Sequence, residues 1–294
     1  MDTNDFRVFE AVARTGSMNK AAVELATVQS NVTARVKALE ERLGVELFER
    51  TNRGVTLTAA GHRLLPFAGR VAGLMEDARR AVADTGSPAG TLTIGSLETT
   101  TALRLSPVLA SFAAAHPAVD LVLRTGTSRE LIDQVIERRL EGAFVCGPVV
   151  HADLDVEPFF HEDLAVLTAP DIADFGALAR KGNLKIVVLR AGCSYRQRLE
   201  ELLARRGIVG VRLLEFGTLE AIVSCVAAGI GVTLLPEALI GPVWRHGRVR
   251  IHRLPADEAR VETVFVRHRD AHVSSALGTF LDFARPVLTR IAAE

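Results

Sequence analysis

Cysteine is scarce in this chain of 294 residues, which has only Cys146, Cys193 and Cys225. Three such scattered thiols predict neither a disulfide framework nor a zinc cluster. The eight histidines are also dispersed, and none of them pairs with another at metal-ligand spacing. The sequence therefore predicts no bound metal and no cofactor.

Long apolar runs and an excess of one charge are absent as well. No run of about 18 apolar residues occurs, which predicts no membrane span. The N-terminus is polar and has no secretory signal, so we expect a cytoplasmic protein. The net formal charge is zero, and residues 1–61 carry eight basic and eight acidic side chains. Any contact with nucleic acid must therefore depend on how the charges are arranged.

Common enzyme motifs are also missing. The chain has no Gly-x-Ser-x-Gly elbow, and the Gly229-Ile-Gly231 segment lacks the third glycine of a dinucleotide-binding loop. Cys193 lies at a strand-to-helix turn, where a thiolate would be stabilised. A nucleophile, a redox sensor and a wall residue of a ligand pocket are all possible roles for Cys193. We predict that the protein is not an enzyme.

Residues 17–61 have the apolar spacing of two short helices followed by a hairpin. Ser17 is the predicted cap of a helix that runs to about Ala26. Thr27 is the predicted cap of a longer helix that ends at Leu43, before Gly44. An upstream helix over residues 4–14 completes a small core, and residues 45–57 resemble two strands around a turn.

The polar face of the longer helix has side chains that suit the major groove of DNA. A glutamine can pair with adenine, hydroxyls can bind bases or phosphates, and an alanine methyl can contact thymine. Arginine and lysine suit phosphates. Any helical pair in a small domain shares this spacing, so the pattern alone leaves DNA binding open. The candidate DNA-binding residues are Gln29, Ser30, Thr33, Ala34, Arg35, Lys37 and Arg53.

The segment AAVELATVQSNVTARVKALEERLGVELFERTNRGVTLTAAG resembles the winged helix-turn-helix of LysR-type transcriptional regulators. The matching motifs are AA..L at residues 21–25, Gln29, LE..LG at 39–44, LF.R at 47–50 and LT.AG at 57–61. The length and layout of the whole chain also match. The resemblance implies DNA binding through the helix that begins near Val28 and through the hairpin, or wing. Ser30 and Ala34 differ from the residues that this family often has there.

Apolar or small residues then recur at alternating steps of four and three from residue 57 to residue 82, which is a heptad pattern. One interpretation is a single amphipathic helix packed on its own core. The other is a helix that pairs with a second copy, as the resemblance implies, to give a homo-dimer or homo-tetramer. The candidate dimerisation residues are Leu64, Ala68, Val71, Met75, Ala78 and Val82.

From residue 91 onwards, strand-like and helix-like segments alternate, which predicts α/β units with mostly parallel sheets. The predicted strands are 91–97, 119–126, 142–146, 164–169, 185–190, 211–216, 231–236, 248–254 and 261–268. The fold class is therefore α/β with an N-terminal winged helix-turn-helix domain and a long linker helix. The resemblance implies two Rossmann-like lobes, similar to periplasmic solute-binding proteins. His161-Glu162-Asp163 is interpreted as an exposed crossover between the lobes.

The expected domains follow from these patterns. They are a DNA-binding domain (1–61), a linker helix with a hinge (62–90), a first lobe (91–161 plus 266–294) and a second lobe (162–265). Ligands of open α/β sheets gather at the carboxyl ends of strands, and helix N-termini there favour anions. We therefore expect a small polar effector, with a carboxylate or another oxyanion, between the lobes. Each hydroxyl taken alone can also be an N-cap, and Glu98 would favour an amine or hydroxyl group nearby. The candidate effector-binding residues are Ser96, Leu97, Glu98, Thr99, Thr100, Thr127, Ser128, Cys146, Cys193, Ser194 and Thr218.

The sequence leaves two functions open. The first is a transcriptional regulator that binds double-stranded DNA and responds to a small molecule. The second is a solute-binding protein or an enzyme with an incidental N-terminal helical domain. Residues 17–61 discriminate between them, because the second function does not need a DNA-binding surface.

Overall fold

A computed structural model describes residues 2–51, 54–174, 184–189, 192–240 and 247–291. The chain divides into two compact units. The N-terminal unit comprises Met1–Asp84 with Ile136–Arg139, and the C-terminal unit comprises Thr85–Val135 with Leu140–Glu294. Each unit has its own hydrophobic core.

The N-terminal unit is helical with one hairpin. Its elements are α1 (Thr3–Thr15), α2 (Met18–Glu24), α3 (Gln29–Leu43), β1 (Phe48–Thr51), β2 (Gly54–Leu57) and α4 (Ala59–Ala83). The two strands pair antiparallel, with Phe48 opposite Leu57. This arrangement confirms the predicted helices and hairpin.

The helix ends explain how local chemistry places these elements. Ser17 caps α2 as predicted, since its side chain accepts a hydrogen bond from the Lys20 N–H. Gly44 ends α3 as predicted, with a φ of 68°, a left-handed conformation that suits glycine. The cap predicted at Thr27 is wrong, because Val28 occupies the N-cap position of α3 without a side-chain hydrogen bond. The Thr27 hydroxyl instead accepts from the Asn31 side chain at 3.0 Å.

The C-terminal unit alternates strands and helices. Its strands are β3 (Gly90–Ser96), β4 (Val119–Thr125), β5 (Gly142–Cys146), β6 (Leu154–Thr168), β7 (Lys185–Leu189), β8 (Arg212–Phe216), β9 (Thr233–Pro236), β10 (Arg250–Arg253) and β11 (Arg260–His268). Its α-helices are α5 (Glu98–Thr100), α6 (Ser106–Ala115), α7 (Ser128–Ile136), α8 (Ser194–Arg205), α9 (Leu219–Ala227), α10 (Ala256–Ala259) and α11 (Ser275–Ile291). A π-helical turn over Thr101–Leu105 joins α5 to α6.

The strands of the C-terminal unit form a mixed sheet rather than the mostly parallel sheets predicted. The order β10-β6-β11-β5-β3-β4 runs across it, and β9 also pairs with β6. β3 pairs parallel with β4 and β5, whereas β11 pairs antiparallel with β5 and β6. β7 and β8 form a separate parallel pair.

The long strand β6 connects the two lobes of this unit. Its first part, up to Asp163, pairs with β11, and its last part, from Leu164, pairs with β9 and β10. β11 already pairs with β6 at Arg260 and with β5 at Thr263, so the chain returns to the first lobe earlier than the predicted residue 266. The chain therefore passes from the first lobe to the second at residues 163 and 164 of β6.

Across the described residues, every helix is too short or too polar to cross a lipid bilayer.

Candidate functional site

The beginning of α3 presents an exposed polar face. Gln29, Ser30, Ala34 and Lys37 are all exposed, and we call these four residues the recognition face. Thr33, which the sequence places with them, is half-buried. The helix is held from behind by its apolar residues Val32, Val36 and Leu39, which are buried in the core of the N-terminal unit. Amide, hydroxyl, methyl and ammonium groups thus lie in the first nine residues of α3.

Arg35 differs from the other candidates in this region. Its guanidinium donates to the carboxylate of Asp5 at 2.9 Å and lies 3.6 Å from that of Asp2. Asp5 is buried and also accepts from Arg42 at 3.4 Å. An intramolecular ion pair therefore uses this side chain to join α3 to α1, and its phosphate role stays a prediction. The final DNA-binding candidate, Arg53, lies outside the described residues.

The predicted dimerisation residues of α4 fall into two groups, those that contact the core of the N-terminal unit and those that are exposed. Ala68 is fully buried in the core of the N-terminal unit, and Leu64 and Val71 pack against that core. Ala68 is therefore corrected to a core residue, whereas the half-buried Leu64 and Val71 stay predicted dimerisation residues. Met75, Ala78 and Val82 are exposed. The heptad pattern missed two further exposed apolar side chains, Phe67 and Leu74, which are 55% and 56% exposed.

A cavity of about 50 Å³ lies in the C-terminal unit at the carboxyl ends of β3, β4, β5, β7 and β8. This is the edge at which open α/β sheets bind ligands. We call it the cleft cavity, and its described lining comes from both lobes. The lining residues are Leu97, Glu98, Thr99, Thr125, Gly126, Thr127, Ser128, Glu130, Cys146, Leu189, Cys193, Ser194, Tyr195 and Gly217.

Eight of the eleven predicted effector-binding residues line the cleft cavity. They are Leu97, Glu98, Thr99, Thr127, Ser128, Cys146, Cys193 and Ser194. The other three, Ser96, Thr100 and Thr218, do not line it. Ser96 and Thr100 are fully buried, and the Ser96 hydroxyl donates to the Leu97 carbonyl at 3.1 Å. Thr218 caps α9 by accepting from the Ala221 N–H.

Hydroxyl groups from the two lobes meet in the cleft. The Ser194 hydroxyl donates to the Ser128 hydroxyl at 3.1 Å, and Ser128 in turn accepts from the Cys146 N–H at 3.2 Å. The Arg198 guanidinium donates to the Gly147 carbonyl at 3.4 Å. These bonds connect the N-termini of α7 and α8 to the end of β5, so they bring both lobes together around the cavity.

A buried ionisable cluster behind the cavity was missed at the sequence level. Glu162 is buried rather than exposed, and its carboxylate accepts from the Tyr195 hydroxyl at 3.3 Å. The Arg104 guanidinium lies 3.8 Å from the same carboxylate. Burial raises the pKa of Glu162 to about 7, although Arg104 opposes the shift. The charged triplet predicted an exposed crossover, but strand alternation turns its middle residue inward while His161 and Asp163 stay exposed.

The two thiols in the lining are held in their neutral form. Burial raises the pKa of Cys146 to about 11 and also raises the pKa of Cys193. A nucleophilic cysteine needs a low pKa instead, so this environment suits wall residues. In the part of the chain that the structure describes, no group of three or more metal-ligating side chains could hold a metal ion.

Comparison with known proteins identifies the two units. Residues 3–62 match the family described as bacterial regulatory helix-turn-helix protein, lysR family, and residues 85–289 match the LysR substrate binding domain. The relative YusT of Bacillus subtilis, described as an uncharacterized HTH-type transcriptional regulator, is 42% identical over 98% of this chain and 97% of its own length. The transcriptional regulator GltR of the same organism is 38% identical over 97% of this chain and 96% of its own length.

Solved structures share the fold of the whole chain. A full-length OxyR variant from Pseudomonas aeruginosa has a TM-score of 0.68 at 21% identity, and the match covers 100% of this chain and 97% of the OxyR chain. Full-length CbnR in complex with its target DNA has a TM-score of 0.65 at 24% identity, and the match covers 98% of this chain and 100% of the CbnR chain. The family models and the relatives place the chain in the LysR family of transcriptional regulators, with a helix-turn-helix DNA-binding domain and an effector-binding domain.

Proposed function

We propose that the recognition face of α3 reads the major groove of an operator, and that a small molecule in the cleft cavity controls this binding. The observation that carries the first part is the exposure of the recognition face, whose four residues lie within the first nine positions of α3. Glutamine and hydroxyl groups select bases there, whereas Lys37 supplies phosphate contact. We include Thr33 as a partly accessible contact and Arg53 of the predicted wing as a phosphate contact. The site of action is then the cytoplasm, where the DNA is located.

Self-association through α4 accompanies this function. Two copies present two recognition helices, which can contact two half-sites of an operator. The exposed apolar side chains of α4 support this proposal, because a lone surface helix seldom leaves a row of them in water. The proposed contact residues are Phe67, Leu74, Met75, Ala78 and Val82. The proposed domains are 1–61 for DNA binding, 62–90 for association, and the two lobes for the effector.

The cleft cavity is the proposed effector site. The mixed lining of hydroxyls, thiols and apolar groups suits a small polar molecule, which we propose carries a carboxylate. For the effector to control transcription, it must bind two states of the assembly with different affinities. We assign ligand binding, and no catalytic step, to these residues.

A gel shift with the full chain and the DNA upstream of its own coding region tests the proposal. We expect a shift with that DNA at salt concentrations that abolish a shift with a scrambled duplex. Gln29→Ala should reduce the preference, whereas Gln134→Ala, a glutamine of α7 outside the lining of the cleft cavity, should not. Equal affinity for the two duplexes would contradict sequence-specific binding.

A further inference from the structure

The described lining of the cleft cavity contains an unpaired carboxylate. Glu98 is half-buried there, and its carboxylate makes no hydrogen bond or ion pair with any other residue that the structure describes. None of the described lining residues is a lysine, arginine or histidine. A carboxylate that is partly removed from water is stabilised by a cation. This side of the cavity therefore favours a protonated amine.

The N-terminus of α7 does not need an anion from a ligand. The Glu130 carboxylate accepts from the Thr127 N–H at 2.9 Å, and the Thr127 hydroxyl accepts from the Glu130 N–H at 3.3 Å. This reciprocal capping box supplies the negative charge that such a helix end attracts. A bound anion would have to displace Glu130, so the anion site lies elsewhere.

The N-terminus of α8, on the opposite lobe, has no acidic side chain in its first turn, although its Arg196 N–H already donates to the Cys193 carbonyl at 3.1 Å. Its N-cap residue Cys193 makes no side-chain capping hydrogen bond, and the helix runs for 12 residues. Free N–H groups and the helix dipole favour a carboxylate at such an end.

A second observation comes from Thr99, which lines the same cavity and is only 2% exposed. Its hydroxyl has no hydrogen-bond partner among the described residues. It lies beside the Tyr195 phenol, which donates to Glu162 instead. A buried hydroxyl without a partner costs free energy, so a ligand oxygen that accepts from it would be stabilised.

We infer that the effector carries both a carboxylate and a protonated amine, as an α-amino acid does. The carboxylate binds the N-terminus of α8 and the Thr99 hydroxyl, and the ammonium group pairs with Glu98. The cavity of about 50 Å³ holds roughly four waters at about 10–15 Å³ each, which suits such a small head group. A groove that shares Ser128 and Cys193 with the cavity gives a longer side chain an exit. This inference rests on the proposed effector function.

Thermal unfolding of the full chain tests the inference with four sets of probes. These are the twenty protein amino acids, their N-acetyl derivatives, simple primary amines and simple carboxylates, all at the same concentrations. We expect at least one amino acid to raise the unfolding temperature, and its N-acetyl derivative to bind at least tenfold more weakly. Carboxylates that bind as tightly as the amino acid would overturn the inference, as would a response to amines alone or to no amino acid.

A variant that lacks the Glu98 carboxylate tests the proposed amine site. Glu98→Gln should weaken binding of the responding amino acid at least tenfold and leave its N-acetyl derivative unaffected. The control, Glu201→Gln, removes a carboxylate from the exposed face of α8 and should bind as the wild type does. Equal affinity in Glu98→Gln would overturn the role of Glu98. A gel shift without any amino acid runs in parallel, so a failure of DNA binding is distinguished from a wrong ligand class.

Discussion

At the scale of single residues, Glu162 shows what a linear pattern does not reveal. A run of histidine, glutamate and aspartate is polar on average, and that average indicated solvent. The pairing of β6 with β11 fixes which side chain of the triplet points inward, and this pairing joins residues about 100 positions apart. By contrast, most of the cavity-lining hydroxyls were predictable, because they follow strands directly. Ser96, Thr100 and Thr218 were not separable from them, since the direction of a side chain at a strand end depends on packing.

Glu162 gives a pH prediction for the C-terminal unit. Its pKa rises from the ordinary 4.5 to about 7 in the folded protein. The folded state therefore holds a proton that the unfolded state has released between these values, so stability falls as pH rises through that window. At about 1.4 kcal/mol per pKa unit, the loss reaches up to about 3 kcal/mol. Denaturation at pH 5 and pH 7.5 should show this loss in the wild type and not in Glu162→Gln.

The comparison of pH slopes separates this effect from simple damage. Glu162→Gln carries a neutral side chain of the same size, as protonated Glu162 does at pH 5, so any damage from the substitution appears at both pH values and leaves the slope informative. Glu201→Gln, with the same change on the exposed face of α8, should keep the wild-type slope. A slope in Glu162→Gln equal to that of the wild type would show that another group titrates.

At the scale of elements, apolar periodicity predicted the helices and strands well, and their close approaches poorly. The period of 3.6 located α3 because Val32, Val36 and Leu39 must share one buried face. The same pattern extended through α4 and suggested a single seam. It could not separate positions that face the unit's own core from those that face water, because both are apolar or small. Gly61 is an example, since its place in the pattern gave no reason for a glycine.

Gly61 is required by a close backbone approach. A Cβ added there would lie 2.2 Å from the Leu47 carbonyl oxygen and 2.8 Å from a Leu57 methyl group. Backbone atoms cannot yield cheaply, so Gly61→Ala should destabilise the N-terminal unit by about 3 kcal/mol, the upper end for overpacking. Hydrogen exchange of peptides from α1 and α3 measures this loss.

A second glycine of α4 provides the control for this substitution. An added Cβ at Gly69 would find its nearest atom at 3.9 Å. Gly69→Ala should therefore keep or raise protection, because alanine is favoured over glycine by about 1 kcal/mol inside a helix. Unchanged protection in Gly61→Ala would contradict the packing of α4 against the segment before β1.

At the scale of the whole molecule, the two-unit organisation could be predicted because each unit has its own sequence pattern. The path of the chain through the lobes was less predictable. β6 continues without a break from one lobe to the other, so no loop signal marks the crossover. The mixed sheet likewise depends on antiparallel pairing of β11, which brings the end of the chain back to the first lobe.

The exposed part of α4 gives a prediction about assembly. Leu74→Asp places a charge on a side chain that is 56% exposed, so it should release monomers without unfolding the N-terminal unit. Light scattering gives the mass and circular dichroism the folding. Val209→Asp, at a site that is 80% exposed in the C-terminal unit, should keep the wild-type mass. An unchanged mass in Leu74→Asp would contradict an interface at this face.

Contact of the recognition face with bases and phosphates is tested most directly by equilibrium DNA binding, measured by fluorescence anisotropy. Affinities of the wild type, Gln29→Ala and Lys37→Ala are measured on the operator and on a scrambled duplex at several salt concentrations. We expect Gln29→Ala to lower the difference in binding free energy between the two duplexes by about 1–3 kcal/mol. Lys37→Ala should weaken both and reduce the salt slope by about 1. An unchanged affinity ratio in Gln29→Ala, together with an unchanged salt slope in Lys37→Ala, would contradict DNA contact through the recognition face.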